Sequence, residues 1–188
     1  MERRVLRGKL GRLLLAGATV LAATAAAWPL TVSAQPTTAS ASVVAGSLAL
    51  LSVEDVDFGT VNQDGSDHTP TSSARYDVSD ATASGAGWHL SISGTPFTDG
   101  RGHVLPTANA ESASSACDNG STCTLAANQV VYPLGIPDDG STVTLFAANA
   151  DSGKGNQTAT VNYSEYLSPA AASGFYRATW SISLSSAP

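Results

Sequence analysis

Residues 176–184 read Tyr176-Arg177-Ala178-Thr179-Trp180-Ser181-Ile182-Ser183-Leu184. Tyr176, Ala178, Trp180, Ile182 and Leu184 share one parity, and Arg177, Thr179, Ser181 and Ser183 take the other. Side chains of an extended backbone alternate between two faces, so the stretch predicts a strand with one dry side and one wet side. Shorter runs repeat the pattern upstream. Leu48 and Leu50 alternate with small residues, Val56 and Phe58 flank Asp57, and Tyr76 and Val78 flank Asp77. Trp88, Leu90 and Ile92 oppose His89, Ser91 and Ser93, Val143 and Leu145 alternate with threonines, and Ala159, Val161 and Tyr163 alternate with polar neighbours. Val130–Leu134 is a more continuous apolar run. Turn pairs punctuate the runs: Asp64-Gly65, Ser84-Gly85, Asp99-Gly100, Asp139-Gly140, Ser152-Gly153 and Ser173-Gly174.

No segment after residue 34 sustains a 3.6-residue period with caps. The chain therefore reads as all-β, an antiparallel two-sheet β-sandwich of roughly eight to ten strands. A closed barrel shares the same alternation. The stretch from Asp99 to Asn128 shows little alternation and reads as a long loop, clamped by the Cys117/Cys123 pair.

The first 34 residues have a different character. Arg3, Arg4, Arg7, Lys9 and Arg12 form a basic start, residues 13–30 are apolar, and Val32-Ser33-Ala34 places small residues before Gln35. This is the three-part pattern of a secretory signal peptide, 1–34, with an uncleaved anchor as its rival. Residues 35–42 read as a flexible lead-in and 43–188 as one domain. The 188-residue chain carries 9 Lys+Arg and 15 Asp+Glu, a net charge of −6. Residues 1–34 account for five of the bases and for Glu2. The remaining 154 residues hold 4 bases and 14 acids, a charge of −10. Nucleic-acid binding is excluded in practice, because little remains to neutralise phosphates. Simple adhesion to an anionic membrane is disfavoured for the same reason.

Cys117 and Cys123 are the only cysteines. In an oxidising compartment a close lone pair predicts a disulfide around a small loop, with Asn119-Gly120 making the turn. A metal reading lacks soft ligands nearby, and a redox reading lacks the C-x-x-C spacing.

Catalysis finds no support in the residues. His68, His89 and His103 belong to no metal motif, and no nucleophile elbow or phosphate cradle occurs. The neighbouring acids Glu54, Asp55 and Asp57, and Asp138-Asp139, read as solvated turns or edges. Asn62, Asp64 and Asp67 around Gly65 are the one weak calcium candidate, without the distal Glu of an EF-hand. No cofactor is expected.

The mature chain holds two tryptophans, in Trp88-His89-Leu90 and in Tyr176-Arg-Ala-Thr-Trp180-Ser-Ile182. A mid-domain W-x-L followed by a second such element close to a final Pro resembles the WxL domain of Gram-positive cell-surface proteins. Gly46-Ser47-Leu48, the Ser79–Gly87 stretch and Gly155-Asn156-Gln157-Thr158 add to the likeness, which covers about residues 43–188. Ile182 stands where the family usually has Leu. The resemblance implies a β-sandwich attached non-covalently to the cell wall, with peptidoglycan or wall glycan as ligand and other exported surface proteins as associates. An interaction subunit of a surface complex, with no glycan contact, is the alternative.

Spacing alone shows less. Trp88 and Leu90 share one face, as do Tyr176, Trp180 and Ile182. Such stripes are usually core, and then Trp180→Ala costs about 3–5 kcal/mol. In the sharper reading one indole is exposed and stacks on a ligand. Tyr132, Tyr166 and Phe175 lie outside the clean stripes and are the candidate surface aromatics.

Overall fold

The computed structural model describes residues 38–187. The expected signal peptide at 1–34 lies outside the described residues, as does part of the expected lead-in. Ser42–Pro188 forms one compact unit. The described residues contain no helix.

Eight strands follow in chain order: β1 Leu48–Val53, β2 Thr71–Asp80, β3 Trp88–Gly94, β4 Asn109–Cys117, β5 Leu134–Gly135, β6 Val143–Ala148, β7 Gly155–Ser164 and β8 Trp180–Ser186. They build a five-stranded sheet in the order β1-β2-β7-β4-β5 and a three-stranded sheet in the order β6-β3-β8. Every pairing is antiparallel.

The two sheets share one core. Ala74, Tyr76 and Val78 of β2 and Ala159, Val161 and Tyr163 of β7 meet Trp88, Leu90 and Ile92 of β3 and Phe146 of β6. β3 shows strict alternation, buried at Trp88, Leu90, Ile92 and Gly94 and half-buried between. This is the two-sheet sandwich that the alternation predicts, because each strand hides one parity and wets the other. Full burial of each large apolar side chain stabilises the sandwich by about 1.5–3 kcal/mol.

Three segments differ from the sequence reading. Residues 109–117, read as loop, form β4 in the five-stranded sheet, paired with β7 from Asn109↔Ser164 to Cys117↔Gln157. The strand is AESASSA between Asn109 and Cys117, so its inward positions are filled by alanine and serine. Backbone pairing holds it, and small side chains leave almost no hydropathy signal. Conversely, Val56 and Phe58 pack against the core but belong to no strand. Alternation reports which side is dry and says nothing of a hydrogen-bonding neighbour. In 130–134 only Leu134 enters a strand, and Pro133 offers no donor to a ladder.

Cys117 and Cys123 form a disulfide with Cα atoms 5.6 Å apart, and Gly120 takes a positive φ of 80° in the turn between them. No free cysteine occurs among the described residues.

Candidate functional site

The two tryptophan motifs are hydrogen-bonded neighbours. β3 and β8 pair with Leu90 opposite Leu184 and Ile92 opposite Ile182. Trp88 stands opposite Ser186, and Trp180 stands opposite Gly94. The indoles thus mark opposite ends of one ladder, about 20 Å apart at roughly 3.3 Å per residue. They cannot share a site, and their surroundings differ.

Trp88 is wholly buried. Its Nε1 donates to the Gly153 carbonyl at 2.9 Å, and its ring stacks on Phe146 with centroids 5.3 Å apart. Gly153 has φ +75°, and a Cβ there would stand 2.5 Å from the indole nitrogen. The turn and the tryptophan are fitted to each other.

Trp180 is half-buried and packs against the edge of the core. Gly94 opposite it leaves the room: a Cβ on Gly94 would lie 2.9 Å from the indole Cδ1. Ahead of β8 the chain is tied to the loop after β3. Thr98 and Arg177 exchange both main-chain hydrogen bonds at 3.0 Å, and Thr95 N donates to the Thr179 carbonyl at 3.1 Å. These ties place Tyr176, Trp180 and Phe97 along one wall. Phe97 meets Trp180 edge-on at 5.9 Å and Phe58 at 6.1 Å, while Tyr163 tilts against Trp180 at 5.2 Å. Such geometries suit the ring quadrupoles.

The aromatic row lies along a cleft of about 1000 Å³. One wall is the segment after β1, residues 53–63, and the other is residues 171–180 leading into β8. The motif residues Tyr176, Trp180 and Ile182 line it, whereas Trp88 and Leu90 do not.

Glu165 also lines this cleft. It is 2 % exposed, and neither carboxyl oxygen has a hydrogen-bond partner. Its position follows from strand parity: Ala159, Val161 and Tyr163 face inward, and Glu165 is the next residue of that row. Its N–H donates to the Pro70 carbonyl at 3.1 Å, and His68 and Leu167 exchange two main-chain bonds just beyond. The β2–β7 pairing therefore continues past the strand ends and holds the carboxyl inside. Burial pushes its pKa up from 4.5 to about 7. No second carboxylate or hydroxyl is hydrogen-bonded to it.

Glu54, Asp55 and Asp57 line the same cleft with Arg177 as the cation among the lining residues. Glu54 Oε2 accepts from Arg75 N at 3.1 Å, and Asp57 Oδ1 accepts from Gly59 N at 2.8 Å. The Arg177 guanidinium sits 4.6 Å from the centre of the Phe175 ring. Deeper in, the hydroxyls of Tyr76 and Tyr163 are 2.7 Å apart, and burial raises both phenols above their ordinary pKa.

The remaining sequence candidates fall elsewhere. Phe175 is 72 % exposed at the cleft rim, and Tyr166 is exposed with its hydroxyl donating to Asp67 at 2.7 Å. Tyr132 is half-buried rather than open: its hydroxyl donates to the Leu145 carbonyl and accepts from Asn128 Nδ2 at 3.0 Å. Asp64 is engaged by Ser66 N at 2.9 Å and the His68 ring at 3.0 Å, which hold its carboxyl below the usual range. Among the described residues no group of three or more His, Cys, Asp or Glu is placed to hold a metal ion.

Sequence reading misses Glu165. The signal is present: an acid two positions beyond Tyr163, in the row of buried residues. Ending the alternating run at Ser164 stops one residue too early.

A family model described as WxL domain surface cell wall-binding matches residues 29–185. Comparison with curated proteins and with solved structures gives no match.

Proposed function

Because the chain belongs to the WxL domain family of surface cell-wall-binding domains, we propose that it attaches to peptidoglycan through the cleft beside Trp180. Its place is the cell surface and cell wall, in keeping with that family. The observation that carries the reading is a row of half-buried aromatic rings lining a cleft beside a buried carboxyl without a partner. Stacking faces with a few fixed polar groups are what a site for a wall fragment requires. Residues 1–34 serve export in this reading, and the chain performs attachment rather than catalysis.

The test is co-sedimentation of the full chain with purified wall sacculi. Wild type is expected in the pellet, with no soluble wall fragments released. Trp180→Ala is expected to stay in solution at unchanged far-UV circular dichroism. Equal pelleting of wild type and Trp180→Ala rejects the cleft as the contact surface.

A second reading has its own observation. β1 is an edge strand of the five-stranded sheet, and its Leu51 and Val53 are 58 % and 49 % exposed. In this reading an exported partner protein adds a strand along the edge. Leu51→Lys, at a position outside the cleft lining, blocks that docking and leaves sacculus binding intact.

A further inference from the structure

We propose that the cleft receives a primary ammonium group carried on a peptide, with Glu165 as the carboxylate that takes it. The proposal rests on the cleft being the wall-contact surface, and it specifies what is recognised there: the free amines of uncross-linked wall peptides rather than the neutral sugar chain.

Three independent features converge on a cation. First, both oxygens of Glu165 are buried in the cleft wall without a donor. A buried carboxyl lacking partners is costly, and an ammonium with three N–H donors satisfies it. Second, Glu54, Asp55 and Asp57 line the same cleft, against one lining cation, Arg177. That cation is drawn onto the exposed Phe175 ring at the rim. The whole domain reinforces this field, with 4 bases against 14 acids after residue 34. Third, Trp180, Phe97 and Tyr176 line the cleft, and aromatic rings attract ammonium groups as well as sugars. A neutral glycan would use the rings and leave the acids idle. A polyanionic wall polymer would be repelled.

Binding is then coupled to protonation. The groups facing the cleft are Glu54, Asp55 and Asp57 after β1, Tyr76 from β2, Glu165 after β7, and Tyr176 and Arg177 before β8. Phe97 and Leu105 contribute no charge. Tyr76 keeps its proton across the neutral range, since burial raises its pKa. Glu165 titrates near neutrality. The ammonium displaces its proton to solvent and leaves a carboxylate–ammonium pair. Affinity therefore weakens as the pH falls below about 7.

The experiment compares native sacculi with sacculi whose free amines have been N-acetylated, at equal mass, with the full chain. The expected result is at least tenfold weaker binding to the acetylated wall. Glu165→Gln is expected to abolish this preference. Asp55→Asn, an exposed rim change that leaves the core untouched, is expected to weaken native binding severalfold at low salt. Equal binding of wild type to both walls overturns the ammonium reading and leaves wall attachment standing. Binding to neither wall overturns both.

Discussion

Glu165→Gln isolates one buried charge and makes the sharpest stability test. The side chain is 2 % exposed, and neither oxygen is hydrogen-bonded. Its pKa stands at about 7 in the folded chain against 4.5 ordinarily. The folded state thus holds this proton more tightly than the unfolded state. Below about pH 4.5 both states are protonated, and the group costs no stability through ionisation. Between about pH 4.5 and 7 the unfolded chain ionises first and the folded state loses ground. Above about pH 7 both are ionised, and the penalty is complete. At about 1.4 kcal/mol per tenfold change in proton affinity, the full penalty is about 3 kcal/mol. The glutamine side chain of the variant cannot ionise, so any cost of burying its amide is the same at every pH. Urea unfolding of both proteins, disulfide intact, from about pH 4.5 to 8.5 reads the difference. Relative to the variant, wild type is expected to lose about 3 kcal/mol across that range. The lowered carboxyls of Asp64, Asp77, Asp99 and Asp139 are common to both proteins and cancel. A gap between the two proteins that stays constant with pH refutes the reasoning.

The two tryptophans are expected to separate. Trp88→Ala removes a fully buried ring and orphans the Gly153 carbonyl, costing about 3–5 kcal/mol in denaturant unfolding. Trp180→Ala is expected to cost clearly less, because its indole is half-buried, while losing sacculus binding; equal losses of stability in the two variants contradict this division. Gly153→Ala forces a β-carbon into the indole at a positive φ and is expected to lower stability by about 2 kcal/mol or more, visible as a drop in Tm and a shift in Trp88 fluorescence. Replacing Cys117 and Cys123 by serine opens a loop with a sequence separation of 6, which the chain-entropy estimate puts at about 2 kcal/mol in the same unfolding assay.

Much was legible in the residues because strand alternation is local. Whether Leu90 or Ser91 is dry depends on parity, and parity is written in sequence. The disulfide was readable for a similar reason, since only two cysteines exist and they lie six positions apart. The two W-x-L-like elements carried the family. Pairing was not legible. Nothing in the composition of 109–117 announces a strand, because alanine and serine suit a tight sheet and a loop equally.

The sequence by itself determined an acidic sandwich of β-strands with a cross-linked loop and two tryptophan-bearing strands. Only the tertiary structure decided that those strands are neighbours, that one indole is sealed beneath Gly153, and that the other borders a cleft with Glu165 in its wall. The reason is physical. Facing is a property of consecutive residues, whereas a cleft arises where distant segments fail to fill the space between them. In this chain those segments are 53–63, 97–105 and 165–182, and no short window of sequence contains all three.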